Sequence, residues 1–438
     1  MRILQLTPGT GTFLCGSCLR DNVLVKALEG LGHEAYIAPL YLPFALEEGG
    51  AQTDDVHMGG INVYLQQVVP WLRFLPRFLH DRLDSPRLLR WAASRSKMTE
   101  APGLGALTLS MLRGEEGRQR AELARLVDWL KELPTPDVVI LSNAMLVGMA
   151  REIQSALSCP VLCTLQGEAP FLDALPEPYA SRCWAALRER AAGLDGFLAV
   201  SGYTGDLMGE RLGIPPDKLH VIWNGIELQD FAESSAESSP GVAAFDPPRP
   251  PTIGFLARMC RDKGIDQLFE AYLWVRERLP EVRLVAAGVV LNEDRGLLNQ
   301  LQARVRALGL EDQVELRGRI SREDKLRMLA SIDVFSVPAL YGESFGLYLL
   351  EAWAAGVPVV QPRHGAFPEL IEATGGGLLC DGAGPAALGQ GLLELLLDPE
   401  RARALGAQAR QELGPRFSAE RMARDVERVC RLAADSAS

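Results

Sequence analysis

Long apolar runs are absent from this sequence of 438 residues, because no segment reaches the 18 uninterrupted apolar positions that suggest a membrane-spanning helix. An excess of basic residues is absent as well. The formal net charge is -11, which argues against nucleic acid as the main partner, since phosphate backbones demand basic surfaces. What is present, 47% hydrophobic and 23% charged residues, is typical of a soluble globular protein of about two or three domains.

Patterns that bind metal are also scarce. The eight cysteines are mostly scattered, as buried thiols of a reducing compartment are, so we predict a cytoplasmic protein. One pair, Cys15 and Cys18, has the spacing of a redox dithiol or of half a zinc site. No second Cys-x2-Cys and no His-x3-His completes a zinc set. We therefore predict no bound metal, and the redox dithiol stays open as an alternative.

Two strand-and-helix halves organise the chain. The alternation starts at residue 2 and restarts at residue 252, after a segment rich in Ser, Ala and Pro over residues 232–251 that has the composition of a linker. This pattern predicts an α/β protein with one domain over residues 1–240 and another over residues 241–417. Gly9 and Gly11 begin a glycine loop, but Leu14 occupies the place of the third glycine, so the dinucleotide fingerprint fails.

The most informative stretch is VPALYGESFGLYLLEAWAAGVPVV, in which seven residues separate Glu343 from Glu351. Its pattern predicts a strand over residues 334–340, a turn over 341–346 and a helix over 347–355. The amides at the helix start form an anion site, and Gly346 lets a phosphate approach the backbone closely. One carboxylate can then bind sugar hydroxyls and the other a ribose diol. The alternative is that Glu343 caps the helix and Glu351 is solvated.

The segment ESFGLYLLE resembles the E-x7-E element of the retaining glycosyltransferases of family 4, which have the GT-B fold. A second similar segment, IGFLARMCRDKGID, has Arg258, Lys263 and Gly264 where that family has an Arg, a Lys and a Gly. An Arg fork and a Lys charge can neutralise a diphosphate leaving group without a metal. The resemblance extends from about residue 195 to residue 415 and is looser before that.

This resemblance implies two doubly wound, Rossmann-like domains that face a central cleft, with a last helix, about residues 418–438, crossing back onto the first domain. It places the donor mainly on the second domain and the acceptor on the first. It implies catalytic roles for Glu343, Arg258 and Lys263, with Glu343 stabilising an oxocarbenium-like state. The implied donor-binding residues are Phe345, Gly346, Leu347, Glu351, Gly16 and Asn224.

Two positions depart from the family pattern. Many members have a His that contacts the transferred sugar at the position of Gln166, and glutamine can hydrogen-bond to a sugar but cannot transfer a proton. A retaining enzyme is thought to need no dedicated base, because the acceptor proton passes to the leaving phosphate. Gly16 and Ser17 occupy the place of a Gly-Gly loop, so one of its two glycines is kept.

A basic amphipathic stretch over residues 71–97 has no counterpart in the family. It contains seven Arg or Lys against two Asp, a net charge of +5. Such a stretch in the acceptor domain suggests docking to anionic lipid headgroups or to a lipid-linked acceptor, at the inner face of the membrane. The alternative is a pair of short helices packed on their own domain with solvated arginines.

Taken together, these residues predict a retaining, metal-independent glycosyltransferase that needs no cofactor. Its co-substrate would be a nucleotide-diphospho sugar and its acceptor a glycan or a lipid-linked molecule. Two alternatives stay open: a non-catalytic nucleotide-sugar binding protein, and a sugar-nucleotide epimerase on the same fold. The epimerase would need further acid or base groups, for which His364 is the candidate among the histidines.

Overall fold

The computed structural model describes residues 1–9, 16–40, 101–229, 231, 249–382 and 384–437. The chain divides into two compact units, one formed by Met1–Gly225 with Ala419–Ser438 and the other by Ile226–Ser418. Several sequence-based predictions lie outside the described residues. These are the ones that concern Gly11, Cys15, the basic segment 71–97 and most of the linker 232–251.

A parallel six-stranded sheet lies at the centre of the first unit. Its strands are β1 (Arg2–Thr7), β2 (Glu34–Pro39), β3 (Val138–Leu141), β4 (Val161–Leu165), β5 (Gly196–Ala199) and β6 (Leu219–Val221). They are arranged in the order β2-β1-β3-β4-β5-β6, so the chain order reverses between β1 and β3. The strands β3, β4 and β5 are buried along their whole length, as expected for parallel strands covered on both faces.

Helices cover both faces of this sheet. They are α1 (Gly16–Gly30), α2 (Ala101–Leu112), α3 (Arg120–Glu132), α4 (Ala150–Leu157), α5 (Ala169–Asp173), α6 (Tyr179–Ala191) and α7 (Gly202–Leu212). The C-terminal helix (Ala419–Ala437) packs beside α1 on one face, where Leu24 and Val426 are buried with Ile3, Ile140 and Leu162. The last helix is therefore part of the first unit.

The second unit contains another parallel six-stranded sheet. Its strands are β7 (Thr252–Leu256), β8 (Arg283–Ala287), β9 (Val314–Arg317), β10 (Val334–Phe335), β11 (Val359–Pro362) and β12 (Gly377–Cys380), in the order β12-β11-β10-β7-β8-β9. Its helices are α8 (Ile265–Arg276), α9 (Arg295–Ala307), α10 (Arg322–Ala330), α11 (Leu347–Ala354), α12 (Phe367–Thr374), α13 (Pro385–Leu397) and α14 (Pro399–Phe417). The chain order reverses between β7 and β10.

The predicted α/β class with two parallel sheets is confirmed, and the differences are local. The strand expected over residues 334–340 is only two residues long, because Pro338 and the loop after it leave the sheet. The chain enters α4 through a 3-10 turn, Ala144–Met149. The units divide after Gly225, earlier than residue 240, since Ile226 donates a hydrogen bond to the Phe417 carbonyl of the second unit.

The seven described cysteines are all buried. The six scattered ones are free thiols, as their positions predicted: Cys159, Cys163, Cys183, Cys260, Cys380 and Cys430. Cys18 lies at the start of α1, with its sulfur 3.4 Å from the Thr7 hydroxyl. Across the ranges described above, no helix is both long enough and apolar enough to cross a membrane.

Candidate active site

The two loops that carry the predicted catalytic residues follow adjacent strands. Lys263 ends a 3-10 turn after β7, and Glu343 lies in the loop after β10. These strands pair in parallel at the point where the strand order reverses, the position at which open α/β sheets bind ligands. A glycine holds the two loops together: Gly264 has a φ of 73°, and a Cβ atom there would lie 2.0 Å from the Pro338 carbonyl oxygen.

The Glu343 carboxylate is the centre of this site. Glu343 is 6% exposed. Its Oε2 atom accepts a hydrogen bond of 2.8 Å from the Tyr348 hydroxyl and also contacts the Lys263 ammonium closely. The Tyr341 hydroxyl lies 3.5 Å from the same oxygen. Gly365 must be a glycine here, because a Cβ atom on it would lie 2.5 Å from the Glu343 nitrogen. A charged residue this deeply buried is paired, as burial without a partner would be costly.

Lys263 is enclosed by the same groups. Its ammonium nitrogen lies 5.0 Å from the centroid of the Tyr341 ring and 5.5 Å from that of Tyr348, within the range of cation–π attraction. Burial on its own would lower the pKa of Lys263, but the Glu343 carboxylate and the Tyr341 side chain together outweigh it and the pKa is raised. The lysine is therefore charged at neutral pH, and the structure brings the predicted Lys263 and Glu343 into direct contact.

The helix that follows this loop is α11. Gly346, not Glu343, is its N-cap residue, with a φ of 89°. The first amides of an α-helix have no intrahelical acceptor, which applies here to those of Gly346 and Leu347, and their binding of an anion stays a prediction. The Phe345 side chain packs into the core.

The predicted ribose ligand Glu351 lies on the second turn of α11. It is not simply solvated, because its Oε1 atom accepts a bond of 2.7 Å from the Lys325 ammonium. Lys325 lies on α10, and both side chains are about three-quarters buried. The pair thus fixes the Glu351 carboxylate in place beside the start of the helix.

Arg258, two residues beyond β7, is held by acids that follow the adjacent strand β8. Its Nε atom donates to Asp294 at 2.7 Å, and its Nη2 atom makes a close contact with Glu293. Burial on its own would lower the pKa of Arg258, but these two carboxylates outweigh it and the pKa is raised. Arg258 is thus held in place by two carboxylates, and these are different from the carboxylate that pairs with Lys263.

In the first unit, a buried polar network occupies the point where its own strand order reverses. Arg20 and Asp21 lie on α1 after β1, and Ser142 follows β3. The Ser142 hydroxyl donates to Asp21 at 2.5 Å, and Arg20 donates to Asp21 at 3.1 Å and to the predicted ligand Asn224 at 3.3 Å. Burial raises the pKa of Asp21, against the opposing effects of Arg20 and Ser142. Gly16 is the exposed first residue of α1.

Gln166 joins this network from the end of β4. Its Nε2 atom donates a bond of 2.6 Å to the Ser142 carbonyl oxygen. The backbone amides of Gln166, Gly167 and Ala144 all donate to the buried Glu168 carboxylate, at distances of 2.9 to 3.1 Å. Glu168 therefore ties the loop after β3 to the loop after β4 and fixes the direction of the Gln166 side chain.

Sequence reasoning missed the partners that orient the predicted residues: Tyr348, Lys325, Asp294, Glu293, Arg20, Asp21, Ser142 and Glu168. A usable signal was present for some of them, because Asp294 and Ser142 follow strands that neighbour β7 and β1, where carboxyl ends meet. Tyr348 gave no signal, since an aromatic residue in a first helical turn is ordinarily core. Over the described ranges, no three His, Cys, Asp or Glu side chains are grouped so as to hold a metal ion.

Comparison with known families identifies this arrangement. The model of the glycosyl transferases group 1 matches residues 244–412, which include Arg258, Lys263, Glu343 and Glu351. The model of glycosyltransferase family 4 matches residues 105–230 of the first unit, including Gln166. The chain belongs to the family 4 glycosyltransferases.

Curated relatives of this family 4 glycosyltransferase include two mannosyltransferases that are named for their acceptors. A GDP-mannose-dependent alpha-(1-6)-phosphatidylinositol monomannoside mannosyltransferase of Mycobacterium tuberculosis is 29% identical over 233 residues, which cover 52% of this chain and 59% of that protein. A GDP-mannose-dependent monoacylated alpha-(1-6)-phosphatidylinositol monomannoside mannosyltransferase of Corynebacterium glutamicum is 27% identical over 306 residues, 68% of this chain and 76% of that protein. The chain thus spans less than two thirds of the mycobacterial relative.

Solved structures similar to this family 4 glycosyltransferase match over nearly the whole chain. The Anabaena protein HepE, crystallised with UDP, has a TM-score of 0.67 at 17% identity and covers 99% of this chain and 100% of its own. Sucrose-phosphate synthase of Thermosynechococcus elongatus has a TM-score of 0.68 at 18% identity, with both chains covered completely. At such identities the likeness establishes the fold, which is GT-B.

Proposed function

We propose that this chain transfers a sugar from a nucleotide-diphospho sugar to a glycan or a lipid-linked acceptor, with retention of configuration and without a metal ion. The observation that carries this proposal is the cluster of Lys263, Glu343, Tyr341 and Tyr348 at the switch point of the second sheet. A cation, a buried carboxylate and open helix amides in one place suit a substrate that has a diphosphate on one side and a sugar on the other.

The diphosphate would exchange partners with the acids that now hold the two cations. Arg258 is paired with Asp294 and Glu293, and Lys263 is paired with Glu343. A diphosphate carries several acceptor oxygens and more than one negative charge, so it can share or take over these contacts. Arg258 and Lys263 would then face the oxygen on which negative charge develops, where preorganised cations accelerate the reaction.

In the proposed reaction, the bond between the anomeric carbon and the diphosphate oxygen breaks, and a bond from that carbon to the acceptor oxygen forms on the same face of the ring. The acceptor proton passes to the departing diphosphate oxygen. The Glu343 carboxylate stabilises the positive charge that develops on the ring. Gln166 would contribute hydrogen bonds only, because a carboxamide acts neither as an acid nor as a base near neutral pH.

The acceptor would bind on the first unit at Gln166, which is only partly buried. Behind it, the buried network of Arg20, Asp21 and Ser142 would hold Gln166 in place through the Ser142 carbonyl. Both curated relatives named above act, by their names, on phosphatidylinositol mannosides with GDP-mannose. We propose GDP-mannose as the first donor to test and a polyol headgroup as the first acceptor class. The basic segment 71–97 would supply peripheral contact with an anionic membrane.

A screen of nucleotide sugars by thermal unfolding is the first test. A ligand at a hundred times its dissociation constant stabilises a protein by about 2.7 kcal/mol, which is a measurable rise in Tm. GDP-mannose, UDP-glucose and ADP-glucose are compared with the matching diphosphates and monophosphates. The proposal expects a diphosphate to stabilise far more than its monophosphate, because Arg258, Lys263 and the helix amides bind the second phosphate.

The second test follows product formation with the donor that the screen selects. Transfer to an acceptor, or slow hydrolysis of the donor without one, supports a glycosyltransferase. Retention is read from the anomeric configuration of the product by NMR. Binding without turnover would support a nucleotide-sugar binding protein. Formation of an epimeric donor would support an epimerase, although burial lowers the pKa of its acid–base candidate His364 and keeps that side chain neutral at pH 7.

A further inference from the structure

Tyr348 makes a direct contact with Glu343. It is the second residue of α11, and its hydroxyl lies 2.8 Å from the Glu343 Oε2 atom. Its ring lies 6.1 Å from the Phe335 ring at the end of β10. Tyr348 is thus fixed by the helix on one side and by the sheet on the other, and its hydroxyl has a defined direction.

The contacts of the Glu343 carboxylate are one-sided. Tyr348, Lys263 and Tyr341 all face the Oε2 atom. Within the described ranges, no side chain donates a hydrogen bond to the Oε1 atom, and the Glu343 side chain keeps 8% exposure. One oxygen is therefore held by the protein, and the other is available to a ligand.

Donor binding, as proposed above, would change the contacts of the Oε2 atom. When the diphosphate draws Lys263 away, Oε2 loses its cation, and the Tyr341 hydroxyl at 3.5 Å is at the limit of a hydrogen bond. Tyr348 is then the one strong donor that remains among the three. Burial, reinforced by the neighbouring Glu343 charge, raises the pKa of the Tyr348 phenol well above its usual value, so the hydroxyl keeps its proton at working pH.

We infer that Tyr348 is a positioning residue for the transfer step: it holds Glu343 Oε2 throughout the reaction, so that Oε1 faces the sugar ring when positive charge develops there. The inference rests on the proposed glycosyltransferase function. It adds a residue that acts through Glu343 without touching the substrate. Hydrogen bonds to charged groups are the stronger class, so the loss of this one should be visible in turnover.

The test compares Tyr348→Phe with Tyr341→Phe. Both variants lose only a hydroxyl beside the same oxygen, at 2.8 Å and at 3.5 Å respectively, and both keep the ring against Lys263. For Tyr348→Phe we expect kcat to fall about tenfold to a hundredfold, while the KM for the donor and the Tm shift caused by the nucleoside diphosphate change less than about twofold. For Tyr341→Phe, whose hydroxyl is at the limit of a hydrogen bond to the same oxygen, we expect a smaller fall of kcat, about threefold.

A double-mutant cycle then separates positioning from a purely structural role. If Tyr348 acts only through the carboxylate, Tyr348→Phe has little further effect on donor hydrolysis in a Glu343→Gln background. Additive losses in the cycle, or equal losses in the two tyrosine variants, would overturn the inference while leaving the proposed function intact. Absence of any turnover by the wild-type enzyme with all donors would instead refute the proposed function, and this inference with it.

Discussion

The variant Lys263→Ala tests the leaving-group role most directly. In the structure the Lys263 ammonium lies between the Tyr341 and Tyr348 rings and pairs with a Glu343 carboxylate that is 6% exposed. The substitution removes the charge proposed to face the departing diphosphate. It also leaves the carboxylate without its cation, so turnover and stability should both change.

The two magnitudes follow from different physics. Removal of one preorganised contact to developing charge typically costs about 100- to 1000-fold in turnover, so we expect kcat to fall at least about a hundredfold at saturating donor. Removal of one partner of a fully buried ion pair costs about 3–5 kcal/mol. Lys263 keeps 20% exposure and Tyr348 still donates to Glu343, so we expect a smaller loss of unfolding free energy, about 2 kcal/mol.

The stability effect should depend on pH in a defined direction. The pKa of Lys263 is raised in the folded protein, because the Glu343 carboxylate and the Tyr341 side chain together outweigh the effect of burial. The stabilisation is therefore fully present below the ordinary lysine value of 10.5, and it is lost as the pH rises through the higher folded pKa. The difference in unfolding free energy between wild type and variant should be constant from about pH 7 to 10 and should narrow above that.

Turnover is measured as nucleotide release at saturating donor, and stability by urea unfolding at several pH values. Lys131→Ala is the matched control, because this exposed lysine lies on α3 of the first unit and its removal should change unfolding free energy by less than about 0.5 kcal/mol. Unchanged turnover of Lys263→Ala at saturating donor would refute the leaving-group role. A stability difference that widens at high pH would refute the ion-pair argument.

Three further predictions concern the donor carboxylates, the metal and the membrane. Glu351→Ala should mainly raise the KM for the donor, because Glu351 is assigned to the ribose, and Glu343→Ala should mainly lower kcat, because Glu343 is assigned to the reacting sugar. Steady-state kinetics in which both variants change both constants equally would contradict these two assignments. EDTA should leave activity largely intact, since cations and helix amides neutralise the diphosphate, and a loss restored by magnesium or manganese would contradict this. Through residues 71–97 the protein should bind anionic vesicles better than neutral ones and should dissociate from them as the salt concentration rises. Replacing Arg73, Arg77 and Arg82 by Gln should weaken its sedimentation with these vesicles without changing donor hydrolysis. A wild-type protein that does not sediment with anionic vesicles at low salt would contradict membrane docking.

The sequence by itself determined the alternation of strands and helices, and with it the two parallel sheets. Apolar runs such as residues 138–141 can only be buried strands between helices, because their composition leaves no polar face. Short-range spacing also located Arg258, Lys263, Glu343 and Glu351, since the turn after a strand and the first turns of a helix are local features. The family resemblance rested on these same local segments.

The tertiary structure alone decided which of these residues touch. Lys263 and Glu343 are 80 positions apart, and their contact depends on β7 and β10 being neighbours in the sheet. Strand order is set by how helices pack over the whole sheet, and hydrophobic periodicity does not encode it. For the same reason the partners Asp294 for Arg258, Lys325 for Glu351 and Tyr348 for Glu343 became visible only when the strands were assembled. Residues that are far apart in the sequence come into contact because they follow strands that are neighbours in the sheet.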